Sequence, residues 1–147
     1  MPTLRSEADR RTLAQRLARV TPRTQPRWGK LDASRMMSHL GDALDAGLGK
    51  LEVGRRGPRA FRWFPLKHLA VYVVPMPKGA KAAPELFARA PGDFDADRRR
   101  VLEGMEEMAS APRRPGPMHF LLGRLSNDQW NRLSWKHIDH HLRQFGN

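Results

Sequence analysis

Ser126-Asn-Asp-Gln-Trp-Asn-Arg-Leu-Ser-Trp-Lys-His137-Ile-Asp-His-His141-Leu-Arg-Gln-Phe145 is the stretch on which the reading of the fold turns. Ser126 and Gln129 stand at capping-box spacing, each side chain placed to satisfy the other's backbone N–H. Gly146 follows where a C-terminal cap glycine belongs. At about 100° per residue, Trp130, Leu133, Ile138, Leu142 and Phe145 share one side of the resulting helix. Arg132, Lys136, Asp139 and Arg143 share the other. His137 and His141, four apart, fall on the inward half, stacked one turn from each other. His140 lies between the two sides. Polar groups are costly to bury without partners, so this pair needs either a shared divalent cation or local hydrogen bonds to carbonyls or water. The helix alone leaves both readings open.

Upstream, the chain reads as three further helices. The first, Ser6 to about Val20, turns Leu13, Leu17 and Val20 inward, with Ala14 and Ala18 beside them and arginines elsewhere. Thr21 to Pro26 ends it with two prolines. Asp32 suits the N-cap of a second helix that runs to Gly47 or Gly49. Its core stripe is Met36, Met37, Leu40, Ala43, Leu44, Gly47 and Leu48, and His39 falls at the edge of that stripe. A third helix, capped by Asp93 or Asp95, runs to about Ser110 with Phe94, Val101, Leu102, Met105 and Met108 inward.

Between the second and third helices, Lys50 to Gly92 is broken by glycines and prolines too often for a long helix. Leu66 to Val74 suits a short helix or an extended segment, and Pro84 to Phe87 a short turn. A connection of this length is uncommon unless it carries function or a crossover, and a crossover lets the flanking helices run parallel. Ala111 to Pro117 ends the third helix, and Met118 to Leu125 reads as a short apolar approach to the last. With no strand ladder evident, the expected fold is a single all-α domain over residues 1–147, a four-helix bundle.

Composition narrows the chemistry. The 147 residues contain no Cys, which excludes disulfides, zinc–thiolate sites and a protein thiol nucleophile. Any metal site must use His, carboxylate or backbone ligands. A net charge of +12 and a pI near 11.4 favour anionic partners, nucleic acid among them. No apolar run approaches the ~20 residues that span a bilayer, and the N-terminus lacks a signal-peptide core. A cytoplasmic protein without a membrane partner is expected.

Two segments carry a resemblance. Trp28-Gly-Lys-Leu-Asp-Ala-Ser-Arg-Met-Met-Ser-His39-Leu40 resembles the start of helix two of the DinB-like, or YfiT-type, superfamily of metal-dependent hydrolases. Trp130 to Phe145 is similar to that superfamily's last helix, and Lys81-Ala-Ala-Pro84 to a lysine–proline feature of one branch. The resemblance implies an up-down-down-up bundle, often dimeric, and a divalent metal held by His39, His137 and His141. It also implies activity on a small-molecule substrate: hydrolysis, or transfer and isomerisation that depend on a low-molecular-weight thiol. Zinc and nickel are the expected metals. This chain departs from the pattern in its shorter first helix, its Pro-rich middle and the extra His140.

Three neutral imidazoles leave a divalent metal its full charge and an open position, which suits activation of a water or a thiol. Ile138 excludes the His-Glu-x-x-His zincin pattern, and neither a Gly-rich phosphate loop nor a Gly-x-Ser-x-Gly elbow occurs. Asp42 and Gln144, each near a histidine along its helix, are candidate partners for the second ring nitrogens. His68 and His119 carry no spacing argument. Two other classes stay open: a basic nucleic-acid-binding module, for which no reading motif is present, and a catalytically silent metal- or ligand-binding bundle.

Overall fold

Local chemistry sets the helix ends. In the computed structural model, which describes all residues from Met1 to Asn147, α1 (Glu7–Arg19) starts at Ser6, whose hydroxyl accepts from the Asp9 N–H. Acids fill its first turn and Arg16 and Arg19 its last, as the helix dipole favours. Asp32 caps α2 (Ala33–Leu48) by accepting from Arg35 N at 2.8 Å, and Gly49, at φ +77°, closes it in the left-handed conformation that glycine adopts without strain. A short helix, α3 (Leu66–His68), widens at once into a π turn, Leu69–Val73. Asp93 caps α4 (Phe94–Ser110). The capping box expected at Ser126 and Gln129 is formed in both directions, 3.2 and 2.9 Å, at the start of α5 (Asn127–Gln144).

Between α4 and α5 the chain forms two strands, β1 (Pro115–His119) and β2 (Gly123–Ser126), paired antiparallel. This overturns the all-α expectation: the fold has five α-helices, with about 54 % of the chain helical once the 3-10 and π turns are included, plus a two-stranded sheet. The reason is physical. Pro115 and Pro117 give up two N–H donors, which argues against a strand in a sequence, but a two-stranded ribbon consists only of edges, and the register slips between Pro115 and Met118. His119 fixes the turn, its Nδ1 accepting from the backbone N–H groups of Leu121 at 3.2 Å and Leu122 at 3.1 Å. The indole N–H of Trp130 donates to the Pro117 carbonyl at 3.0 Å, locking the hairpin onto α5.

Contacts between the long helices set their relative directions. Asp42 and Asp45 of α2 meet Arg100 of α4, Leu44 packs on Gly104, and Gly47 lies under Met108. The two helices therefore run parallel, joined by the long connection from Lys50 to Gly92. Arg5 and Arg10 of the N-terminal region meet Ala109 and Glu106, whereas Arg98 reaches Val20, so α1 opposes α4. Gly47 permits the close approach: a Cβ there would sit 2.6 Å from Met108 Cε and 2.9 Å from the Trp130 ring. A continuous core of 20 buried apolar residues, among them Leu13, Leu17, Met36, Met37, Leu40, Val101, Met105, Ile138 and Leu142, fills the space between the helices. No helix is long and apolar enough to cross a membrane.

Burial pushes the His119 imidazole down to about 4. A histidine in the unfolded chain titrates near ~6.5, so acid protonates the unfolded state first. The stability that neutral His119 provides is complete above about pH 6.5 and is lost as the pH falls toward 4. His119→Asn keeps an acceptor for the two turn N–H groups and carries no titrating ring. Its unfolding free energy in urea should fall less steeply between about pH 6.5 and 4 than that of the parent chain. Parallel slopes would show that this ring does not carry acid sensitivity.

Candidate metal centre

His39 projects from the middle of α2, His137 and His141 from successive turns of α5, and their Nε2 atoms converge. His137 Nε2 lies 3.1 Å from His39 Nε2 and 3.1 Å from His141 Nε2. All three candidate ligand atoms fall within 4.8 Å of one another. Residues almost a hundred positions apart are brought together because α2 and α5 share the core: Met36, Met37 and Leu40 on one side of the approach, Ile138 and Leu142 on the other.

The outer nitrogens are already committed. His39 Nδ1–H donates to the carbonyl of Leu86 at 3.0 Å, and His141 Nδ1–H donates to Gln144 Oε1 at 2.8 Å. Gln144 is itself oriented, its amide N–H donating to the Trp28 carbonyl at 2.9 Å. These bonds fix both rings as Nδ1–H tautomers, so both Nε2 atoms carry bare lone pairs. His137 Nε2 faces the two of them. Whatever its tautomer, it has at most one proton to offer, and two lone pairs await it. A cation between the rings satisfies all three nitrogens, which no single proton does. Two nitrogens bound at ~2.0–2.1 Å to one tetrahedral ion lie about 3.4 Å apart. Two of the three pairs, at 3.1 Å, are near that spacing, and the third, within 4.8 Å, has to close by up to about 1.4 Å around a tetrahedral ion.

Electrostatics hold the site neutral. Burial drives His137 well below the usual histidine range, with the neighbouring imidazoles pushing the same way. His141 is lowered to about 3, by burial first and then by His39. Burial also lowers His39, against the opposing pull of the Leu86 carbonyl and Asp42. Unprotonated imidazole is the form that binds metal.

Of the two outer partners suggested by spacing, Gln144 is bonded to its histidine. Asp42 is not; it is ion-paired with Arg100 at 2.8 Å across the α2–α4 contact. The partner of His39 is instead a main-chain carbonyl, Leu86 O, in the short 3-10 turn Pro84–Phe87. The Phe87 ring stacks on His39, centroids 4.2 Å apart and 5° from parallel. The irregular connection thus forms one wall of the site. Its length was the only sign of this in the sequence, and no residue pattern pointed to Leu86 or Phe87.

The remaining histidines do not join the converging nitrogens, although the His140 ring stands edge-on to His141, centroids 5.3 Å apart. His140 is half-buried, its ring edge-on to Trp28 at 6.1 Å and lowered by burial. His119 belongs to the hairpin. His68 sits on the outside of the long connection, against Tyr72 at 4.5 Å.

Gln144→Leu leaves His141 Nδ1–H without its acceptor. Calorimetric titration of the apo protein with zinc or nickel should show affinity reduced by about 10–100-fold. Unchanged affinity would remove Gln144 from the site.

A family model described as a protein of unknown function (DUF1569) matches residues 4–147. No curated protein and no solved structure matches the chain. Since the match extends over nearly the whole sequence, the chain belongs to the DUF1569 family.

Proposed function

We propose that this protein is a metal-dependent enzyme whose divalent ion, zinc or nickel, is held by His39, His137 and His141, and that it acts on a small molecule by hydrolysis or by thiol-dependent transfer. The observation that carries this reading is the pair of committed tautomers: two bare Nε2 lone pairs aimed at a third imidazole nitrogen 3.1 Å away. The resemblance of the Trp28–Leu40 and Trp130–Phe145 segments to the DinB-like superfamily supports it.

The chain's own residues define what the site does. Leu86 O and Gln144 hold the His39 and His141 rings in orientation, so little reorganisation accompanies ion binding. Phe87 covers one face of His39 and keeps water from it. The cluster contains no carboxylate, so nothing in it neutralises the ion. A divalent cation held there is a Lewis acid with its full charge, able to lower the pKa of a water or a thiol toward neutrality. Since the chain has no cysteine, a thiolate must arrive on a small molecule.

Protein purified without a histidine tag should contain close to one zinc or nickel per chain by plasma mass spectrometry. Metal at about 100 times its dissociation constant should stabilise the apo protein by roughly 2.7 kcal/mol, and His137→Ala should lose both effects. Turnover of electrophilic test substrates, with and without a small thiol, should vanish on chelation and in His39→Ala. A chain that takes up no metal, or keeps its turnover without these histidines, would overturn the reading.

A further inference from the structure

Seven of the nine exposed large apolar side chains lie within residues 61–74. Trp63 is 72 % exposed and Phe64 82 %, with Leu69, Val73 and Val74 also facing solvent. Their backbone is nonetheless tied down. Lys136 Nζ donates to Ala70 O at 2.6 Å, Lys67 Nζ donates to Arg124 O, Arg62 packs on Gly123, and Val71 is buried in the core. The Phe64, His68 and Tyr72 rings form a column linking the two ends of the patch, with neighbouring centroids 6.0 and 4.5 Å apart. The apolar groups are therefore displayed by an anchored segment.

Charge selects the occupant. Residues 53–84 contain no Asp or Glu and seven Lys or Arg, of which Arg56 is ion-paired to Glu85, Lys67 is bonded to Arg124 O and Lys78 lies over the Trp28 ring. Arg55 and Arg59, a few positions before Trp63 and Phe64 in the chain, are exposed. A second copy would bring the same cationic rim against itself across a two-fold axis. Single-stranded nucleic acid would use the rings and the cations but leave the aliphatic Leu69, Val73 and Val74 in water. An anionic bilayer surface satisfies both halves: Trp and Phe settle at the headgroup boundary, aliphatic groups enter just below, and the exposed Arg55 and Arg59 meet the lipid phosphates. The expectation of no membrane partner rested on the lack of a spanning run, and a segment lying in the interface needs none.

We infer that the exposed face of residues 55–74 is a docking surface for anionic lipid membranes, placing the protein on a membrane surface without crossing it. The test is sedimentation of the full-length protein with vesicles of phosphatidylcholine alone or mixed with phosphatidylglycerol, at about 0.15 M salt. Partition into the mixed vesicles is expected, with a blue shift of tryptophan emission that Trp63→Phe abolishes. Trp63→Ala/Phe64→Ala should lower the partition constant by about tenfold or more, as should Arg55→Ala/Arg59→Ala, while both variants keep the parent's circular dichroism. No binding to mixed vesicles, or binding that the aromatic variant retains in full, would overturn the inference. So would sedimentation velocity showing a dimer that the aromatic variant dissociates, or single-stranded RNA binding lost in that variant without any vesicle binding.

Discussion

Two hydrogen bonds made by the outer nitrogens of His39 and His141 constrain everything at the centre of this molecule. Each places a proton on Nδ1 and leaves Nε2 as a lone pair pointing inward. Without them the three rings would be free to alternate tautomers and settle into an ordinary chain of imidazole hydrogen bonds. With them, the arrangement has more acceptors than protons, in a place where burial opposes further protonation. That imbalance, and not the count of histidines, distinguishes the site from a buried polar cluster.

The rest of the fold supplies the two acceptors and holds them still. Gln144 belongs to the last turn of α5, and its carbonyl receives the Arg27 N–H at 2.7 Å while its amide donates to Trp28. The loop entering α2 is thereby tied to the end of α5. Leu86 is 6 % exposed, so its turn is pinned by apolar burial and presents its carbonyl at a fixed place. The parallel course of α2 and α4, with glycines at positions 41, 47 and 104 facing side chains of the other helix, makes the long connection necessary.

Much of this was legible in the residues. Caps at Asp32 and Ser126, one at Asp93 or Asp95, and the apolar stripes located the four long helices, because capping and periodicity are local properties. The His137–His141 pair followed from the same periodicity. Its union with His39 did not: it rested on resemblance, since a contact between distant positions leaves no trace in one sequence's spacing. The hairpin was hidden by Pro115 and Pro117, whose rule against strands has force inside a sheet and little at an edge. The role of His119 as a turn clasp required the folded backbone, and Asp42 was claimed by Arg100, a partner 58 positions away.

The acceptor for His39 is a peptide carbonyl, and every amino acid carries one. Exchanging Leu86 for another residue of similar bulk preserves that oxygen, so a scan of side-chain substitutions would pass over the position as merely apolar. Deleting or inserting a residue between Ala83 and Phe87 would instead move the oxygen by the length of a peptide unit. What this part of the chain has to keep is a distance along the backbone, and its tolerance should be sought in length variants before it is sought in chemistry.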